Sequence, residues 1–312
     1  MQPADVSFAA AAAFPEVAAA VQALQIWDWP SVRAELDAAP PGMRAFVVHE
    51  LAEHPEARQL AGYAWQQQPS DTAAAAVLAA HLIHTGWQIR TGAPAERVSP
   101  EQFTGFHEHL AAAEQVLIDA AARNPYDSAV GVQRLLTARG LRLGPGEVRR
   151  RYARLARIDA HNVTGQLQML QSLCPKWSGT WPEVHAFARD RTLAAPPGAP
   201  NALLVAVGHL EHFAELGGGD TARAYLRSDA VRRELIDAAD RSVWHGSFGR
   251  EPGWVLALNA FAMVFLQLGD ETAATGLLAA AAPFATRFPW SCLGDPAGVL
   301  RAYRRSLAGA AR

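Results

Sequence analysis

Apolar positions along this chain recur at three- and four-residue spacings, and no stretch alternates at every second residue, so almost every segment predicts helix. Alanine and leucine dominate and β-branched runs are scarce, which suits helix and disfavours strand. Proline, glycine and short polar residues punctuate the pattern. Asp28 precedes Trp29-Pro30 and starts a helix to about residue 37; Ala39-Pro40-Pro41-Gly42 breaks it. Residues 43–53 and 55–68 predict a short antiparallel pair. Asp71 is the expected N-cap of a helix over 72–90. Ser99-Pro100-Glu101-Gln102 has the form of a capping box and opens a helix to about residue 123.

A weak repeat follows. Asn124-Pro125-Tyr126-Asp127 and Asp159-Ala160-His161-Asn162 each head a predicted helix pair, and Asn124 and Asp159 lie 35 positions apart. That period is near the ~34 residues of tetratricopeptide repeats. The pairs are 127–139 with 147–157, and 161–172 with 182–193. Within the second pair, Pro175 stops one helix because it lacks an amide donor. Thr180 is the expected cap of the next helix, with Pro182 and Glu183 in its first turn. Residues 194–200, AAPPGAP, form the longest Pro/Gly connection and read as a kink in one solenoid. Beyond it, helices are expected over 201–216, 229–243, 254–268, 271–284 and 295–307, the last with an arginine-rich outer face. The predicted architecture is all-α: a single curved solenoid of antiparallel helix pairs. Its N-terminal helices span 1–70, the repeat core 71–195, and the C-terminal hairpins and cap 200–312. Such repeats bury their faces only by stacking, which leaves a concave side for binding.

The turn over 173–181, Leu-Cys-Pro-Lys-Trp-Ser-Gly-Thr-Trp, with Phe187-Ala188-Arg189 after it, resembles a bacterial family of tetratricopeptide-like helical-repeat proteins catalogued as a domain of unknown function. The likeness extends upstream through 80–95 and 124–143. It implies a fold and no activity, so it assigns no catalytic residue.

Composition narrows the function classes. Net charge is −2, which argues against a nucleic-acid partner, since that role needs a basic surface. The two cysteines, Cys174 and Cys292, form no CxxC pair and fit a reducing cytoplasm, although a disulfide between them stays open. No Lys or Arg precedes the N-terminal alanine run, so a signal peptide is not expected. The most apolar stretch, 254–268, is too short to span a bilayer. No Walker A loop and no G-x-G-x-x-G is present, so no nucleotide cofactor is expected; a metal stays open.

Eleven histidines supply the candidate chemistry. His81 with His84, and His209 with His212, are three apart and share a helix face, so either pair can hold two sides of one metal ion. His49, Glu50, Glu53 and His54 form a third group. His107 and His109 point different ways. His84, Trp87 and Arg90 fall on one stripe, fitted to a carboxylate or a peptide backbone. The plain alternative is a half-buried indole with solvated polar ends. Lys176 and Trp177 can form a second aromatic-cationic edge, or the indoles of Trp177 and Trp181 can be structural plugs. Arg150, Arg154 and Arg157 share one face of a basic helix, either solvated or turned to an acidic partner or phosphates. Two functions lead, ahead of a third in which a regulatory protein uses the Arg149–Arg157 face. One is a binding or scaffold protein whose groove takes a peptide, protein or small ligand. The other is an enzyme using His81 and His84, with His107 a further candidate, as metal ligands or acid/base groups.

Overall fold

Short polar side chains start the helices where the sequence marks them. Asp71 accepts from the amide of Ala74, Asp127 from those of Ala129 and Val130, and Asn162 from that of Gly165. Ser99 and Gln102 complete a reciprocal capping box, and Thr180 accepts from the amide of Glu183. Each contact satisfies an amide that the first helical turn leaves without a partner.

The computed structural model describes residues 6–310, with side chains through residue 306. Residues 1–5, part of the stretch with no basic leader, lie outside it. Helix is the regular structure of the described residues, with no strand and one isolated bridge between Ser7 and Phe284. In chain order the helices are α1 (Ala10–Ala13), α2 (Pro15–Gln25), α3 (Trp29–Ala38), α4 (Pro41–Leu51), α5 (Glu56–Gln67), α6 (Thr72–Arg90), α7 (Pro100–Arg123), α8 (Ser128–Gly140), α9 (Pro145–Ile158) and α10 (Val163–Leu173). There follow α11 (Trp181–Ala194), α12 (Leu203–Glu215), α13 (Asp220–Leu226), α14 (Asp229–Arg241), α15 (Trp254–Leu268), α16 (Glu271–Ala281), α17 (Arg287–Trp290) and α18 (Pro296–Ala310). None of them is long and apolar enough to cross a membrane.

The chain forms two compact units, residues 14–172 and residues 1–13 with 173–312. The sequence reading instead anticipates one continuous curved domain and places its strongest internal break at 194–200. In the 14–172 unit, neighbouring helices pack as pairs, α6 with α7 most extensively, and α2, α4, α6 and α8 touch in succession. Small residues set the spacing: a Cβ on Gly86 of α6 or on Gly140 of α8 would meet the Leu110 side chain of α7. Helix α4 also packs on α8, beyond its sequence neighbours. Two buried ion networks tie this unit together. Asp127 is bound by Arg44 at 2.8 Å and by the Thr72 hydroxyl at 2.8 Å. Glu114 is bound by Arg151 and Arg134.

In the other unit, α15 is the expected buried helix. It packs on α12 and α16, and its Asn259 side chain accepts from the Trp290 indole at 2.7 Å. Neither Cys174, which is buried, nor Cys292, which is exposed, is in a disulfide.

Candidate functional site

His84, Trp87 and Arg90 lie on the last turns of α6, all half-buried. The Arg90 guanidinium sits 5.7 Å from the Trp87 ring centroid, and a second guanidinium, Arg139 of α8, sits 5.5 Å from it. Arg90 also donates to the carbonyls of Thr91 and Ala93, which ties it to the loop beyond its own helix. The indole packs edge-on to Phe106 at 4.8 Å. These contacts engage Trp87 and Arg90 within the unit, as an amphipathic packing face does. The His81 ring bonds to the Ala52 carbonyl at 3.0 Å through one nitrogen and to the Thr85 hydroxyl at 3.4 Å through the other. His84 Nε2 accepts from the Gln88 amide at 2.7 Å. Burial lowers the pKa of His49, against the opposing pull of the Glu53 carboxylate. Burial pushes the Glu50 carboxyl up to about 7. His107 is exposed against Phe103, while His109 bonds to the Gly105 carbonyl. Among the described residues no group of three or more His, Cys, Asp or Glu is placed to hold a metal ion.

Two cavities open in the 14–172 unit on either side of the Asn124–Asp127 turn. One, of about 440 Å³, is lined by Asp71, Arg44 and Asp127, which are already paired with one another or with neighbours. The other, of about 470 Å³, is framed by the end of α7, the turn, α8 and α9. Its apolar lining includes Val130, Leu155 and Ile158, and four guanidiniums line it: Arg134, Arg151, Arg154 and Arg157. Helix α9 explains that concentration. Its arginines divide between two faces. Arg151 turns inward, only 6% exposed, where it bonds Glu114 and Glu147, and Arg150 is held by Glu147. The Arg150 and Arg151 guanidiniums hold the Glu147 carboxyl down at about 2. Arg154 and Arg157 remain exposed at the cavity.

A third cluster belongs to the other unit. His185 comes from α11, His209 and His212 from α12, Tyr225 from α13 and Glu234 from α14. The Tyr225 oxygen lies 2.6 Å from His209 Nδ1 and 3.1 Å from His185 Nε2. His185 Nε2 is also 3.3 Å from His212 Nδ1. The Glu234 carboxylate lies 3.6 Å from His209 Nε2 and pairs with Arg189 at 3.3 Å. Trp181 stacks on His212 at 4.2 Å with the rings nearly parallel. The donor inventory assigns the protons. A carboxylate beside His209 Nε2 favours the hydrogen there, so Tyr225 donates to His209 Nδ1 and accepts from His185 Nε2–H. That leaves His185 Nδ1 a buried lone pair without a partner.

Burial and the neighbouring His209 depress His185 to about 3, and burial also lowers His212. The unfolded chain therefore binds protons below pH ~6.5 that the folded cluster refuses, and stability falls as pH drops from there toward 3. Each such histidine contributes less than about 1.4 kcal/mol per pH unit, because part of the cluster faces solvent. Urea midpoints at neutral and mildly acidic pH should separate in the intact protein and converge partway in His185→Phe. Equal pH dependence in both would refute the assignment.

Lys176 pairs with Glu211 at 2.8 Å and Trp177 is half-buried, both in the unit that holds the histidine cluster. The five predicted ligand residues thus divide: His84, Trp87 and Arg90 in one unit, Lys176 and Trp177 in the other. Sequence reasoning noted the His209/His212 spacing but missed their meeting with His185, Tyr225 and Glu234. It also missed Arg139 and Arg134, since nothing local distinguishes them from other helix arginines. No protein-family model, curated protein or solved structure matches the chain.

Proposed function

We propose that this is a helical-repeat binding protein, in which stacked antiparallel helix pairs present an opening to a small ligand or peptide. One observation supports it above the others: the cavity of about 470 Å³ at the Asn124–Asp127 turn, with an apolar floor and charged groups at its edge. That volume falls in the range of ligand pockets, and the mix of apolar lining with a few polar groups is what such pockets use. The turn is also one of the two that the 35-residue spacing singles out. The resemblance of residues 173–181 to a tetratricopeptide-like family points the same way. The surroundings of His81 and His84 favour binding over catalysis at that pair, because both His81 nitrogens and His84 Nε2 are committed to local hydrogen bonds.

Thermal-shift measurements against a mixed set of anionic, cationic and neutral small molecules test the reading. Compounds that stabilise the intact protein should lose their effect in Ala121→Trp, which places an indole at the cavity from α7. Absence of any stabilising compound, or equal shifts in the variant, would count against it.

A further inference from the structure

We infer that the cavity between α8 and α9 is an oxyanion site, built for a small organic phosphate or carboxylate with an apolar body. The inference rests on the binding reading and gives that site its ligand class. Charge is the first argument. Four guanidiniums line the cavity and one carboxylate does, Asp127. Asp127 is already spent: it binds Arg44, accepts from Thr72 and caps α8. Arg151 is likewise neutralised by Glu114 and Glu147. The cavity therefore keeps the positive charge of Arg154 and Arg157, three apart on one face of α9, with Arg134 facing them from α8.

Arg134 supplies the second argument. One of its terminal nitrogens bonds Glu114 at 3.2 Å. Its Nε–H is buried and has no acceptor among the described residues. A buried donor without an acceptor is costly, and a guanidinium edge is shaped to bind an oxyanion through paired N–H groups. The bond from Nη2 to Glu114 holds the Arg134 side chain in place, and its Nε–H still lacks an acceptor among the described residues. The third argument is the lining. Val130, Leu155 and Ile158 offer an apolar floor, and the Tyr126 ring stands 78% exposed at the rim. A simple inorganic ion would use the arginines and waste this surface; a ligand with an oxyanion head and a planar or aliphatic body uses both.

Isothermal titration with 1-naphthyl phosphate tests the proposal, with inorganic phosphate and uncharged 1-naphthol as companions. The phosphate ester should bind, weaken as salt rises from about 50 to 300 mM, and outcompete both companions. Arg154→Ala/Arg157→Ala should cost about tenfold or more in affinity, since charge-assisted pairs are the strong ones. Both residues are exposed, so the double variant should keep the parent's melting temperature, which circular dichroism checks. Equal binding of the ester and naphthol, unaffected by the double variant but abolished by Ala121→Trp, would overturn the anion class and leave the binding reading standing. Binding of none of the three probes to the intact protein, with Ala121→Trp silent in the thermal-shift set as well, would overturn both. Tight binding of inorganic phosphate equal to that of the ester would overturn the apolar-body part of the assignment.

Discussion

Replacing Glu114 with alanine is expected to remove about 3–5 kcal/mol of stability from the 14–172 unit, because it strands buried positive charge. Glu114 is 7% exposed and sits between α7, α8 and α9. Arg151 grips both its oxygens, at 2.7 and 2.9 Å; Thr137 donates to one and Arg134 to the other. Burial alone would raise its pKa, but the bonds from Arg151 and Thr137 outweigh burial and lower it. Its ionised form is therefore the bound form, and its contribution is present above the ordinary carboxylate range and fades as pH falls through the lowered value. Removing the acid leaves Arg151 bonded to Glu147, the Thr137 hydroxyl and the Arg134 carbonyl, and takes from Arg134 its ion pair with Glu114. Removing both partners differs in kind: Glu114→Leu with Arg151→Met should recover most of the loss, since a buried pair replaced by apolar groups of similar size costs little. Denaturant midpoints of the single and double variants check this. A double variant as unstable as Glu114→Ala would show that the loss comes from packing and not from stranded charge.

Gly179→Ala is expected to cost about 3 kcal/mol or more, the upper range for forcing atoms into filled space. A Cβ at this position would run into the backbone of Leu173, meeting its carbonyl carbon and oxygen and its Cα. No side-chain rotation relieves a clash with backbone. The turn is also fixed from within: the amides of Trp177 and Gly179 both bond to the Cys174 carbonyl, and Ser178 adopts a left-handed conformation at φ 76°. Gly146 on α9 is the control, because a Cβ there meets nothing within 4 Å. Its alanine variant should be neutral or gain up to about 1 kcal/mol from helix propensity. Equal melting of Gly179→Ala and the parent would remove the close approach as the reason for glycine in this turn.

Much of the secondary structure was legible because its signals are local. The predicted range 72–90 matches α6 and 254–268 matches α15 to the residue. Asp71, Ser99 and Thr180 cap the helices the sequence assigns them. Each signal acts within four residues: a cap, a proline, an apolar period. The site was less legible. His209 and His212 were visible as a pair three apart, yet the spacing says nothing of Tyr225 on α13 or Glu234 on α14. The basic run on α9 read as a shared face of Arg150, Arg154 and Arg157. Arg151 lies inside with Val148 and Leu155, where it pairs with Glu114 of α7, while Arg154 and Arg157 stay at the cavity.

By itself, then, the sequence determined an all-helical chain, its breaks and caps, and the absence of a helix apolar and long enough for a bilayer, since each depends on short-range geometry and local composition. Only the tertiary structure decided which charges are spent and which are free. Glu114 and Asp127 neutralise arginines 37 and 83 positions away. Coulomb and hydrogen-bond energies depend on distance in space and on burial, and separation along the chain carries neither.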